Sequence, residues 1–152
     1  MSDSAYLAGL KMLARRELSE SQVRQRLARR DYDAAAIDSA VDRLKDNRSL
    51  DDARVAGAIA RMETGIRKRG RLRVKRQIEA AGISSSIAQR AVDEAFEAID
   101  PDAQLAAALH KRLRGRERIA DEREFSRLYR YLLGQGFESD RILRTLKAIY
   151  NR

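Results

Sequence analysis

Apolar residues along this chain recur at spacings of three and four and do not alternate over long stretches, which is the signature of amphipathic helices rather than half-buried strands. Three segments repeat that pattern without gaps: "VRQRLARRDYDAAAIDSAVDRL" (23–44), "VKRQIEAAGISSSIAQRAVDEA" (74–95) and "LYRYLLGQGFESDRILRTLKAI" (128–149), at offsets of 51 and 54 residues. Their apolar positions coincide. Val23, Val74 and Leu128 align, as do Leu27, Ile78 and Leu132; Tyr32, Ile83 and Phe137; Val41, Val92 and Leu146; and Leu44, Ala95 and Ile149. Each segment predicts two helices joined by a sharp turn. Leu27, Ile78 and Leu132 are expected at equivalent core sites, with Gln25 exposed.

The turns carry their own chemistry. Gly82 and Gly136 fall where a helix C-terminus calls for a left-handed residue, and Asp31 takes that slot in the first repeat. Asp33 and Ser84 follow as N-caps; Glu138 is a weak one, with Ser139 as its substitute. Ser19 and Gln22 form a capping box before the second helix of the first repeat. Upstream of each pair lies one more helical stretch: 4–17, 50–65 and 100–115, the last opened by Asp100 and Pro101. The pattern therefore predicts an all-α fold of three tandem three-helix repeats, spanning 1–48, 49–99 and 100–152 and joined by "DNRS" (46–49) and "AIDP" (98–101). Such an array is expected to be elongated and curved.

Composition agrees with helix: one Pro, few aromatics and 36% charged residues. Charge adds a location. Of the net +9, residues 61–76 hold +7: Arg61, Arg67, Lys68, Arg69, Arg71, Arg73, Lys75 and Arg76 stand against Glu63 alone. On the helix starting near Gly70, Val74 and Ile78 are expected to face inward while Arg73, Lys75 and Arg76 point away. With Arg67, Lys68, Arg69 and Arg71 they make a candidate grip on an anionic partner, against the plainer reading of a solvated helix face.

Several chemistries are disfavoured. There is no Cys and one His, His110, so disulfides and thiolate metal sites are excluded. His110 reads as a surface or boundary residue, and no catalytic set, metal site or cofactor site is expected. Gly65 and Gly70 have the spacing of a phosphate loop, but Arg71 and Leu72 follow where that motif needs Lys and then Ser or Thr. Asp51 and Asp52 suit helix capping and dipole compensation better than acid–base chemistry. Tyr32 lies in the core register. Tyr6, Tyr129, Tyr131 and Tyr150 read as partly buried helix residues before they read as base-stacking platforms. The first residues lack a basic region leading into a long apolar run, and no stretch nears the ~18 apolar residues of a membrane span, so a cytoplasmic location without membrane contact is expected.

The sequence resembles the RecX family of regulatory proteins. The likeness rests on "ARRELSESQVRQRLARRDYD" (14–33), "LDDARVA" (50–56), "RKRGRLRVKRQI" (67–78) and "AAGIS" (80–84), and extends over nearly the whole chain. Asp31 departs from the family's usual glycine, and Val55 stands where an aromatic is common. The resemblance implies a non-enzymatic modulator, acting as a monomer, that binds the RecA recombinase and its nucleoprotein filament and inhibits recombinase, ATPase and coprotease activities, with weak direct contact to single-stranded DNA. The competing reading is a stand-alone helix-turn-helix-like DNA-binding protein, its phosphate grip at 67–76. Whether the basic cluster meets DNA phosphates or RecA carboxylates is left open.

Overall fold

The structure, a computed structural model, describes residues 2–151. Among the described residues it is all-helical, with nine α-helices in three successive triplets: α1 (Ser2–Arg15), α2 (Glu20–Arg29), α3 (Ala34–Asp46); α4 (Asp52–Arg61), α5 (Arg71–Ala80), α6 (Ser85–Phe96); and α7 (Pro101–Leu113), α8 (Glu122–Gly134), α9 (Ser139–Tyr150). The chain divides into two compact units. One is Met1–Ala58 with Ile78–Ala91; the other is Ile59–Gln77 with Val92–Arg152, so the middle triplet contributes to both.

In the first unit α1 packs on α3 over a core that includes Ala5, Leu18, Val23, Leu27, Val41 and Leu44. Gly9 permits the close approach, since a Cβ there would lie 2.8 Å from a Leu44 methyl. The second unit is built on Leu105, Leu109, Leu113, Leu128, Leu132, Phe137, Ile142 and Leu146. Leu27, Ile78 and Leu132 are each fully buried and Gln25 is exposed, as the repeat register requires. The register loosens at its edges: Ala95 and Ile149 are half-buried, and so is Tyr32, whose hydroxyl pairs with Ser4 at 3.0 Å.

All three repeat turns use the left-handed region: Asp31 at φ 67°, Gly82 at 82° and Gly136 at 101°. In the outer two, backbone bonds from Tyr32 to Leu27 and from Phe137 to Leu132 close the helix end and bring the next apolar residue onto the buried leucine. The caps follow chemistry. Ser19 and Gln22 form the capping box, Asp33 accepts from the Ala36 amide at 2.8 Å, and Asp100 precedes Pro101 as N-cap of α7.

Three expectations need correction. Ser139 is not a cap: it is the first residue of α9, and its hydroxyl pairs with Tyr129 at 2.8 Å, leaving Glu138 as an N-cap with no side-chain bond. Asp52 does not serve its own helix alone. Its carboxylate accepts the Glu20 amide of α2 at 2.8 Å, while Asp51 accepts from Arg54 at the start of α4. The helix expected over 50–65 leaves α geometry at Arg61 and closes in a five-residue π-turn, Met62–Ile66. There the Thr64 hydroxyl takes the Ala60 carbonyl at 2.7 Å, competing for an acceptor the regular helix uses, and the Arg67 amide reaches back five residues to Met62.

The same docking rule appears once in each unit. In the first, the turn after α5 sits on the start of α2: the Ser19 hydroxyl donates to the Ala81 carbonyl at 2.5 Å, and a Cβ on Gly82 would lie 2.5 Å from the Ser21 side chain. In the second, the turn after α8 sits on the start of α5: the Gly70 amide donates to Gln135 at 2.8 Å and the Leu72 amide to Gly136 at 3.0 Å. Ser19 and Gly70 are equivalent repeat positions, as are Ala81 and Gln135. In the second unit these carbonyls satisfy amides at the beginning of α5, whereas in the first the Ala81 carbonyl takes the hydroxyl of the residue that caps α2.

Candidate functional site

The π-turn and the segment after it position the basic cluster. Glu63, 5% exposed, is its internal counter-charge. Arg67 approaches one Glu63 oxygen at 3.4 Å and Arg69 the other at 4.0 Å, while the Arg69 amide donates to the Glu63 carbonyl at 2.9 Å. The Arg69 guanidinium also bonds the Gln135 side chain, and Gln104 donates to the Arg69 carbonyl at 3.0 Å. Gly70 is required by packing: a Cβ there would lie 2.5 Å from the Gly136 backbone. Carbonyls of Gln135 and Gly136 take the amides of Gly70 and Leu72 at the start of α5, so that helix end offers no phosphate cradle. A Cβ on Gly65 would meet nothing within 4 Å, so the two glycines share a spacing and no role.

The seven cations picked out by sequence do not form one exposed grip. Arg67, Lys68 and Arg76 are exposed. Arg69, Arg71, Arg73 and Lys75 are half-buried and engaged: Arg71 pairs with Asp93 at 2.6 Å, Arg73 donates to the Gly134 carbonyl at 3.1 Å, and Lys75 also has a partner. The expectation that Arg73 and Lys75 point away with Arg76 is therefore corrected. Helical geometry assigns them to the outer face, but at Arg73 the end of α8 and the turn after it cover part of that face.

What the structure brings together instead is a groove of about 510 Å³ in the second unit. Its cations are Arg67 and Lys68 from the loop and Lys111, Arg112 and Arg114 from the end of α7; Tyr131, Phe137 and Ile66 supply apolar wall, and no acid lines it. The Arg112 guanidinium stands over the Tyr131 ring, 4.2 Å from its centroid. Lys111, Arg112 and Arg114 escaped the sequence reading because cations in a helix's last turn are the ordinary complement to its dipole. The signal that could have found them is "HKRLRG", three cations in four positions before a glycine.

The other tyrosines stay within the helical framework. Tyr6 lies under Arg43 at 3.8 Å and accepts from Asn47, Tyr129 holds Ser139, and Tyr150 meets Phe125 edge-on. His110 is exposed. At the edge of the groove Arg116 clamps Glu124 at 3.0 and 2.7 Å. That bond, with the Ala120 amide, holds the Glu124 carboxyl below the usual carboxylate range. In the first unit Lys45 and Arg24 likewise lower Glu20, whereas burial raises Asp52. Among the described residues no group of acidic, His or Cys side chains is placed to hold a metal ion, and no helix is long and apolar enough to cross a membrane.

Fold and site together define a helical-repeat protein carrying a cationic, partly aromatic groove. The family model described as "RecX, first three-helix domain" matches residues 5–44. The Regulatory protein RecX of Acidithiobacillus ferrooxidans is 34% identical over 148 residues, covering 97% of this chain and 91% of that protein. That of Halorhodospira halophila is 30% identical over 143 residues, covering 93% and 85%. The crystal structure of RecX from Lactobacillus salivarius superposes with a TM-score of 0.75 at 20% identity over 97% of each chain, which concerns the fold. The chain belongs to the RecX family of regulatory proteins.

Proposed function

We propose that this protein binds RecA and the RecA–DNA filament and inhibits its recombinase, ATPase and coprotease activities without catalysing a reaction of its own, acting as a cytoplasmic monomer. Family membership supports the partner. The observation that carries the reading to a site is the acid-free groove of Arg67, Lys68, Lys111, Arg112 and Arg114, because a filament displays phosphates and acidic protein surface together. We also propose that the three repeats, 1–48, 49–99 and 100–152, act as successive contact surfaces, so that contacts weak alone reinforce one another through effective concentration.

The test is inhibition of DNA-dependent ATP hydrolysis by RecA against concentration of the full chain, repeated with excess naked DNA. Inhibition that persists under competition supports recognition of the filament. Inhibition abolished in proportion to binding of the competitor supports the second reading, a stand-alone DNA-binding protein, which the same cationic groove favours. Truncation near Asp100 is a poor probe, since it removes the carbonyls of Gln135 and Gly136 that complete the start of α5.

A further inference from the structure

Every residue lining the groove of Arg67, Lys68, Lys111, Arg112 and Arg114 belongs to the second unit. Its volume, about 510 Å³, falls within the range of roughly 300–1,000 Å³ in which small-molecule sites occur. These cations, with no acid among the lining residues, set the charge that a ligand must bring. A linear polymer such as an acidic peptide carries its charges spread along the chain and needs several residues to match them. A polyphosphate packs several charges onto neighbouring atoms and brings the oxygens that guanidinium and ammonium groups bind best.

The remaining wall is more than an anion trap. Arg112 is exposed and stands over the Tyr131 ring, 4.2 Å from its centroid, so a planar cation backed by an aromatic ring is available for a base to stack on. Ile66, 78% exposed, adds apolar surface beside it. Two amides complete the lining. Gln104 donates through Nε2 to the Arg69 carbonyl at 3.0 Å, and Gln135 accepts the Arg69 guanidinium through Oε1. Arg69 thus orients both, which leaves the Gln104 oxygen as an acceptor and the Gln135 amino group as a donor. The edge of a base such as adenine offers the converse pair, an amino donor beside a ring-nitrogen acceptor.

The backbone adds an independent sign. Four non-glycine residues among those described adopt positive φ, and two of them, Lys68 at 57° and Arg114 at 52°, line this groove. Glycine is the unstrained choice there, as at Gly115 beside Arg114, so a long cationic side chain is kept against conformational cost.

We infer that this groove is a binding site for a free nucleoside polyphosphate, with phosphates on Lys68, Lys111 and Arg114 and the base against Arg112, Gln104 and Gln135. Such a site goes beyond the proposed function and does not rest on it. Isothermal titration calorimetry on the full chain without RecA, at about 0.15 M salt so that diffuse surface attraction is screened, would compare ATP, inorganic tripolyphosphate and adenosine. ATP should bind at least about fivefold more tightly than tripolyphosphate, the gain that stacking supplies, and adenosine more weakly than either. Lys68→Gly and Arg114→Gly should each weaken ATP and tripolyphosphate alike, roughly 3- to 10-fold. Both should leave the thermal midpoint of the ligand-free protein unchanged or raise it, since glycine relieves the backbone at positive φ. Arg112→Lys keeps the charge and removes the planar face, so it should spare tripolyphosphate and bring ATP down towards it. Arg29→Ala, an exposed cation in the other unit, is the control and should change little.

Equal affinity for ATP and tripolyphosphate would overturn the inference in favour of a general polyanion surface. So would an undiminished preference for ATP in Arg112→Lys, or glycine variants that fold and bind unchanged. Inhibition of RecA with no preference for ATP counts against this site alone. ATP binding as described with no effect on RecA counts against the proposed function alone.

Discussion

Gly70 and Gly136 meet backbone to backbone: a Cβ on Gly70 would lie 2.5 Å from the Gly136 carbonyl carbon, and a Cβ on Gly136 would lie 2.7 Å from the Gly70 oxygen. One residue sits at the centre of the basic cluster and the other in the turn between α8 and α9. Their contact presents the loop from Arg67 to Arg69 beside the end of α7, where the cations of the groove converge. It also explains why no capping side chain is needed before α5.

Gly70→Ala should therefore destabilise the protein by about 1–3 kcal/mol through overpacking. Gly136→Ala should cost a further ~1–2 kcal/mol, because alanine is also strained at positive φ. Gly65→Ala, open on all sides, should be neutral or gain about 0.4–1 kcal/mol. Urea denaturation of the three variants checks the contrast, and equal losses at Gly65 and Gly70 would contradict the packing described.

Leu27→Ala, Ile78→Ala and Leu132→Ala should each cost about 2–5 kcal/mol, since all three side chains are fully buried in well-packed surroundings. Gln25→Ala, on the exposed side of α2, should stay within about 0.5 kcal/mol of the parent. Denaturation midpoints that placed Leu27→Ala beside Gln25→Ala would reject the shared register.

The acid limb of stability should depend on Glu124 and Glu20. Both carboxyls ionise lower in the fold than in the unfolded chain, Glu124 chiefly through the Arg116 bond and Glu20 chiefly through the Lys45 bond. Their stabilisation is complete above the unfolded value, ~4.3, and is lost as pH falls through the lowered folded values. Glu124→Gln should flatten the loss of Tm below that point. A curve as steep as the parent's would assign the acid sensitivity elsewhere.

Asp52 should show the opposite sign. Burial raises its folded pKa, so its contribution is greatest below the unfolded value and fades as pH rises through the folded one. Asp52→Asn keeps an acceptor for the Glu20 amide and should be neutral or slightly stabilising at neutral pH. Asp52→Ala removes the acceptor and should cost ~1 kcal/mol. Chemical denaturation at pH 7 distinguishes them, and equal losses would show that the charge rather than the hydrogen bond matters.

Much of the fold was legible because it is local. Apolar spacing located the helices, and Asp31, Gly82 and Gly136 marked the turns because a left-handed residue is a requirement of one position. Ser19, Asp33 and Asp100 cap helices through atoms two or three residues away, which a linear reading can see. Where the reading failed, a distant partner intervened. Ser139 looked like a cap but is held by Tyr129, and Asp52, an acid in the first turn of α4, also accepts the Glu20 amide of α2.

The sequence by itself determined the helical class, the repeat register and the concentration of charge in residues 61–76, since periodicity and composition are properties of neighbours along the chain. Tertiary structure decided which of those charges remain exposed. Arg69, Arg71 and Arg73 are drawn into contacts with Glu63, Gln135, Asp93 and Gly134, residues up to 66 positions away. Lys111, Arg112 and Arg114, which the sequence pattern does not single out, are brought beside Arg67 and Lys68. Helical geometry sets the direction a side chain leaves its own axis, but whether it finds solvent, an acid or a groove depends on the elements packed against it.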